Sequence, residues 1–176
     1  MLEIRPPEYK FCPFCGNELD EVLMEGRQFK HCEKDNWTYF PHVGQAACGV
    51  AVRDGKVLLV KRAREPYKGS WMFPAGFVSF GEHPSETVVR ELEEETGYKA
   101  KVIKLLDIIQ VDDDPRSMGH FGFFYDVSLS GEMILNDKEE NLDIDWFDLN
   151  DLPEIGWHSH KQILSRLGGV THIDEK

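Results

Sequence analysis

The sequence predicts an α+β fold in which one strongly marked helix is set among β-strands, behind a small cysteine-bearing β module. Three observations carry that prediction. A helix is punctuated by Pro84 at its start and Gly97 just past its end, positions that suit a first helical turn and a residue beyond the last one. Runs rich in β-forming residues flank it at 45–53, 56–60, 101–111 and 121–129. Ahead of these, Cys12-Pro13-Phe14-Cys15-Gly16 and a later Cys32 have the spacing of a metal knuckle.

Composition bounds the rest. A chain of 176 residues suits one main domain with a small appendage. Hydrophobic content of 41% and charged content of 30% are those of a soluble globular protein. Apolar runs such as 57–60 are far too short to span a bilayer. No charged segment followed by an apolar one opens the chain, so no secretory signal or membrane partner is expected, and a cytoplasmic location follows. A formal net charge of −12 argues against a duplex nucleic-acid partner. It does not argue against a phosphorylated substrate, because a bound metal inverts the local charge logic. Four cysteines with one close pair do not make a disulfide framework; metal binding in a reducing compartment fits better.

Residues 1–10 are polar, contain Pro6-Pro7 and read as a lead-in. The first module is expected over residues 1–41, with short strands at 22–24, 28–32 and 37–40 around a Zn²⁺ site at Cys12, Cys15 and Cys32, against the plainer reading of a degenerate ribbon held by packing alone. A second C-x2-C would place its last ligand at position 35, which is Asp35. Three thiolates and one carboxylate can bind zinc tetrahedrally, and His31 or His42 are alternative fourth ligands. The second domain, residues 42–176, opens with a strand ending in Asp54-Gly55, a strong hairpin turn. Cys48 lies among Ala46, Ala47, Gly49 and Val50 and reads as a buried, inert thiol. Arg62 and Arg64 alternate on the end of the returning strand, as candidates for phosphate or carboxylate contact against the plainer reading of exposed arginines.

The helix is poorly built as an ordinary helix. Glu91, Glu93, Glu94 and Glu95 crowd its C-terminal half, where the dipole disfavours negative charge. Glu91 faces Glu94 and Glu95 at i+3 and i+4, and each such like-charge pair costs roughly 0.2–0.5 kcal/mol; Arg90, four residues before Glu94, relieves only part of this. At about 100° per residue, Val88, Val89 and Leu92 form one arc, with Glu95, Glu91 and Glu94 in that order on the adjoining arc and Glu93 outside it. Carboxylates bordering a buried stripe suit Mg²⁺ or Mn²⁺ shared with substrate phosphates. The bland alternative is a solvated acidic face. Glu95→Gln is therefore expected to leave the metal-free fold as stable as before, or slightly more so.

The run Gly76-x5-Glu82-x7-Arg90-Glu91-Leu92-x-Glu94-Glu95-x-Gly97-Tyr98 resembles the Nudix box. Every polar or glycine position of that pattern is filled; Tyr98 stands where an aliphatic residue is more usual. The preceding cysteine module is similar to the zinc ribbon of NADH pyrophosphatases and related ribbon-bearing Nudix proteins. The resemblance implies the Nudix fold, an α/β/α sandwich with a mixed sheet. It also implies Mg²⁺- or Mn²⁺-dependent hydrolysis of a nucleoside diphosphate linked to another moiety. In it the metals sit on Glu91, Glu94, Glu95 and the Gly76 carbonyl, Glu91 or Glu95 takes the proton, Arg90 orients Glu94, and Glu82 supports the loop or a second metal. The partner is then a small-molecule nucleotide, with a homodimer as the candidate assembly.

Beyond the helix, residues 112–119 form a loop where NADH pyrophosphatases carry an array opening Ser-Gln-Pro-Trp. That array is absent, which places ADP-ribose or FAD ahead of NADH; Pro115 is compatible with ADP-ribose hydrolases. Glu139 and Glu140 precede a strand containing Trp146-Phe147 and are candidates for a further glutamate of the site. A last helix spans 155–167, stopped by Gly168-Gly169, and His158 and His160 read as surface residues rather than ligands. Tyr67, Trp71 and Phe80 are candidates to stack on a base, with core packing as the equal alternative. Two competing functions share these residues: a nucleotide-pool-cleaning triphosphatase, which needs the same box, and a non-catalytic nucleotide sensor or zinc-ribbon interaction protein, against which the complete carboxylate set argues.

Overall fold

A computed structural model describes residues 9–117 and 119–168. Pro6-Pro7, Met118 of the loop after the helix, and Gly169 lie outside the described residues. The chain divides after Val43 into two compact units.

The N-terminal unit is a three-stranded antiparallel sheet of β1 (Asp20–Met24), β2 (Arg27–Cys32) and β3 (Trp37–Tyr39), with Val22 opposite Phe29 and Lys30 opposite Tyr39. Its core is Cys12, Leu19 and Cys32, with Cys15 and Trp37 half-buried against them. So few buried side chains cannot offset the entropy of ordering the chain, and a module of this size calls for a staple.

The larger unit holds β4 (Gln45–Val50), β5 (Val52–Arg53), β6 (Lys56–Arg62), β7 (Trp71–Met72), β8 (Ala75–Phe77), α1 (Pro84–Thr96), β9 (Lys99–Gln110), β10 (Phe121–Ser130), β11 (Asn141–Asp148) and α2 (His158–Arg166). One sheet has the order β8-β4-β10-β9 and is mixed, because β10 runs parallel to β4 while its other pairings are antiparallel. The other has the order β11-β6-β5, with β7 pairing β6. The run expected as one strand at 45–53 is broken at Ala51, because its two halves pair in different sheets. Side chains alternate along a strand. In β6, Leu58 and Val60 join the cluster containing Val88 and Leu92 of α1, while Val57 and Leu59 join the cluster containing Ile163 and Leu164 of α2. The two helices thus cover opposite faces, and the fold is α+β with an α/β/α arrangement.

The structure departs from expectation at the second helix. It starts at His158, not 155, because Ile155 bridges to Trp71 and the Gly156 amide donates to the Trp71 carbonyl. His160 is not a surface residue. It lies one turn before Ile163 and Leu164 on the same face, is 5% exposed, and is stacked on Phe73 with Phe124 at its edge. Its Nδ1 accepts the Phe73 amide at 3.0 Å, which places the proton on Nε2, 3.9 Å from Cys48 Sγ. Cys48 is buried, as expected, and burial pushes its thiol far up. Burial pulls the imidazole down from 6.5 to about 3.

A folded-state pKa below the unfolded one means that the unfolded chain binds the extra proton between them. The stabilisation is therefore complete above about pH 6.5 and is lost as pH falls toward about 3. His160→Asn keeps an acceptor for the Phe73 amide but cannot titrate. In denaturant unfolding between about pH 4.5 and 6.5, the wild type is expected to lose up to about 1.4 kcal/mol per pH unit more than this variant. Parallel slopes would show that the imidazole does not titrate with unfolding.

Candidate active site

The site is set by how α1 is anchored. His83 is its N-cap: the imidazole accepts the Ser85 amide and Glu86 accepts the His83 amide, a capping box with Pro84 in the first turn. Gly97 ends the helix at φ 73°, the left-handed conformation that favours glycine, and its amide donates to the Glu93 carbonyl. Val88 and Leu92 are fully buried, each stabilising by about 1.5–3 kcal/mol, and they fix the rotation of the helix. Glu95 is consequently driven inside at 3% exposure. Glu91 sits at the border, while Glu94 and Glu93 are exposed.

The buried carboxylate is satisfied on both oxygens. Glu95 accepts the Ala75 amide at 3.0 Å and the Asn141 side-chain amide at 2.9 Å. Burial still dominates and raises its pKa to about 8; burial raises that of Glu91 as well. Arg90 does more than the sequence suggests. Its Nε and Nη2 grip both oxygens of Glu82 at 2.9 and 3.1 Å, and its Nη1 donates to Glu91 at 2.6 Å and Glu94 at 3.0 Å. One guanidinium therefore relieves Glu91 and Glu94 together and ties the helix to the preceding loop, where Glu82 also accepts the Ser79 amide. Hydrogen bonds from Arg90 hold the Glu82 carboxyl down at about 2.

Gly76 explains its own identity. A Cβ there would lie 1.9 Å from Glu91 Oε1, so only glycine lets this carboxylate approach the β8 backbone. Glu91, Glu94, Glu95 and the Gly76 carbonyl offer hard oxygens of the type that Mg²⁺ and Mn²⁺ take, and burial is what raises the pKa of Glu91 and Glu95. Among the described residues, these three carboxylates do not bring ligand atoms within 4.8 Å of one another. Glu94 is turned out toward Arg90, and Glu95 is drawn inward by its two donors.

A cavity of about 300 Å³ opens beside the helix. Gly76 and Glu91 line it, as do Arg62, Glu140, Arg116 and Trp157. Arg62 and Glu140 are thus brought to the site. Arg64 lies outside the lining, paired with Glu140 at 2.8 Å and with the exposed Glu139 at 3.4 Å. None of the expected base-stacking aromatics lines the cavity. Tyr67 packs edge-on against Trp157, Trp71 is in the core against Phe147, and Phe80 is fully exposed. Sequence reasoning missed Asn141, Asp114, Arg116, His120, Trp157 and Ser159. Only the turn Asp114-Pro115-Arg116 offered a signal, a charge pair inside a loop. His158 is exposed, as expected, with its Nδ1 3.6 Å from Asp113.

In the N-terminal unit, Cys12, Cys15, Cys32 and Asp35 bring one ligand atom each within 4.8 Å of one another. Cys12 and Cys32 Sγ lie 3.2 and 3.5 Å from Asp35 Oδ2, and Cys15 and Cys32 Sγ are 3.6 Å apart. Zn–S bonds of about 2.3 Å in a tetrahedron require sulfurs about 3.8 Å apart, so the donor set fits zinc. His31 is instead bonded to Thr38 at 2.8 Å, and His42 contacts the Phe40 carbonyl.

Residues 42–167 match the model of the NUDIX domain. Over 153 residues the chain is 40% identical to an ADP-ribose pyrophosphatase of Methanocaldococcus jannaschii, covering 85% of this chain and 84% of that protein. It is 30% identical over 146 residues to the NAD-capped RNA hydrolase NudC of Escherichia coli, covering 82% of this chain but only 54% of that one. The fold is that of a NUDIX hydrolase from Nitrosomonas europaea, with a TM-score of 0.76 at 23% identity over 91% of each chain.

Asn141→Ala removes one donor from the buried Glu95 carboxylate. The expected loss is about 1–3 kcal/mol in denaturant melts at neutral pH, the cost of a stripped buried acceptor. An unchanged midpoint would show that the Ala75 amide suffices.

Proposed function

We propose, from the premise that the chain belongs to the Nudix family and is a Nudix pyrophosphohydrolase, that it hydrolyses ADP-ribose, with FAD next and NADH behind. The observation that carries this reading is one cavity lined by Glu91 and Gly76 together with Arg62 and Arg116. Carboxylates for a cation and arginines for phosphate oxygens then face the same diphosphate. The similarity to the Methanocaldococcus jannaschii ADP-ribose pyrophosphatase and the missing Ser-Gln-Pro-Trp array support the order of substrates.

In this reading Glu91, Glu94, Glu95 and the Gly76 carbonyl hold Mg²⁺ or Mn²⁺. When bound, the cation supplies charge neutralisation at the phosphate oxygens and a more acidic attacking water. Glu91 or Glu95 takes the proton; burial raises the pKa of both, so that each holds a proton more readily than an exposed carboxylate. Arg90 aims Glu91 and Glu94, and Glu82 fixes Arg90 to the loop. Glu140 is the further glutamate of the cleft. Residues 1–41 form a zinc ribbon and 42–176 the hydrolase domain, with Zn²⁺ on Cys12, Cys15, Cys32 and Asp35 acting as the staple that the small module lacks.

ADP-ribose, FAD, NADH and nucleoside triphosphates, assayed in Mg²⁺ and Mn²⁺, are expected to rank ADP-ribose highest in kcat/KM. A triphosphate far ahead would establish the pool-cleaning function, and no hydrolysis of any substrate to its phosphomonoester products would favour the sensor. Glu95→Gln should cut hydrolysis by roughly 10²–10⁴-fold, whereas Glu93→Gln, on the exposed face, should not. The Glu95→Gln fold should hold, because a turned Asn141 amide can accept from the new glutamine while the glutamine oxygen keeps the Ala75 amide.

Protein purified without added zinc should carry about one zinc per chain. Asp35→Ala should loosen it and leave His31 on Thr38. Metal analysis returning no zinc from freshly purified protein would refute the ribbon assignment.

A further inference from the structure

A cluster at the start of α2, apart from the carboxylates of α1, has the composition and spacing of a metal site. Asp112, Asp113 and His158 each bring one ligand atom within 4.8 Å of the others. His158 Nδ1 stands 3.6 Å from Asp113 Oδ2 and 3.9 Å from Asp112 Oδ1. An imidazolium paired directly with a carboxylate closes to about 2.7–2.9 Å. Here the groups stand off from one another instead. Four-coordinate zinc, with bonds of about 2.0–2.2 Å, requires ligand atoms about 3.4 Å apart. Both imidazole distances come within about half an ångström of that spacing.

The charge of this corner is also uncompensated. Of three consecutive aspartates, Asp114 takes both Nε and Nη2 of Arg116. Among the described residues, no lysine or arginine nitrogen lies within 4.0 Å of Asp112 or Asp113. The Asp113 side chain is only 10% exposed. Its Oδ2 accepts the Tyr67 hydroxyl at 3.0 Å and the His158 amide at 2.9 Å, which caps α2. Both donors are neutral; they orient the carboxylate, as the outer-shell partners of a ligating carboxylate do, without balancing its charge. Its Oδ1 is buried and has no partner among the described residues. A buried carboxylate oxygen with neither donor nor cation is costly, and a cation beside it is the partner it lacks. Asp112 and His158 reach solvent, which leaves a way in.

We propose that Asp112, Asp113 and His158 form a divalent-metal site, separate from the ribbon and from α1, that takes Zn²⁺ and clamps the loop after β9 to the start of α2. An imidazole nitrogen with two carboxylates suits zinc, whereas Mg²⁺ and Ca²⁺ take oxygen ligands. The consequence lies next door. Asp114 and Arg116 follow the two aspartates, Trp157 and Ser159 flank the histidine, and all four line the cavity. A cation that ties Asp112 and Asp113 to His158 fixes two walls of that cavity to each other. Zinc then acts as a regulator held outside the site, with no part in the chemistry.

Titration calorimetry of the full chain with Zn²⁺, at about pH 7.5 so that protons compete little for the ligands, tests the site without turnover. Asp112→Asn and His158→Gln alter solvent-facing side chains and leave the His158 amide on Asp113, so the cap and the fold are kept. The wild type should bind one more zinc than either variant, or bind it at least about 100-fold more tightly, a larger loss than removing an outer-shell partner brings. The same difference is expected in a Glu91→Gln background, which separates this site from the carboxylates of α1. Zinc should also slow hydrogen exchange of the His158 amide in the wild type and in neither variant. Equal zinc binding by the wild type and both variants would overturn the proposal and leave the cluster as a helix cap with a loose ion pair. Wild-type binding with no slowing of that amide would overturn the clamp. Both readouts are made without substrate, so a protein inactive on ADP-ribose would refute the substrate reading and leave this site standing.

Discussion

The structure depends on one buried carboxylate. Glu95 lies inside the protein with one oxygen on the amide that begins β8 and the other on the side chain that begins β11. A helix of the first sheet's face is thereby fastened to a strand of each sheet by hydrogen bonds to a single group. Burying a charge is expensive unless it is fully satisfied, and here even full satisfaction leaves its pKa raised to about 8. A hydrophobic residue at position 95 would hold the helix more cheaply. That a glutamate stands there instead is a cost to the fold, and such costs concentrate where chemistry is done.

Around that group the charges are arranged in order of depth. Glu95 is buried, Glu91 lies at the border, and Glu94 is in solvent. Arg90 spans the outer two and reaches back to Glu82, so the cationic partner is placed where water still screens it and the innermost carboxylate is given none. Gly76 completes the wall by removing a side chain that Glu91 could not share space with. Rigidity here comes from packing: Val88 and Leu92 fix the rotation of α1, and the order of the carboxylates follows from that rotation.

Much of this was legible in the sequence because it is local. The helix between Pro84 and Gly97, the face carrying Glu95, Glu91 and Glu94, the hairpin at Asp54-Gly55 and the buried state of Cys48 all follow from short-range spacing, and the NUDIX match agrees with the box. The gathering of Asp35 with Cys12, Cys15 and Cys32 also follows the knuckle spacing, although the sequence left His31 and His42 open as alternatives. Periodicity could place residues on a face, but could not say that Ala51 marks a change of sheet.

What only the tertiary structure decided are contacts between residues far apart in the chain. Asn141 meets Glu95 across 46 positions, His160 meets Phe73 across 87, and Arg62, Arg116 and Trp157 come together from three separate segments. No spacing rule reaches that far, because each encounter is fixed by how two sheets and two helices stack. His160 is the clearest case: a polar residue in a polar run reads as surface until a core face closes over it. The sequence by itself determined the box, its helix and the chemistry those carboxylates suit. The fold determined which arginines share their cavity and which aromatic ring they share, since that required side chains from different elements to converge on one volume.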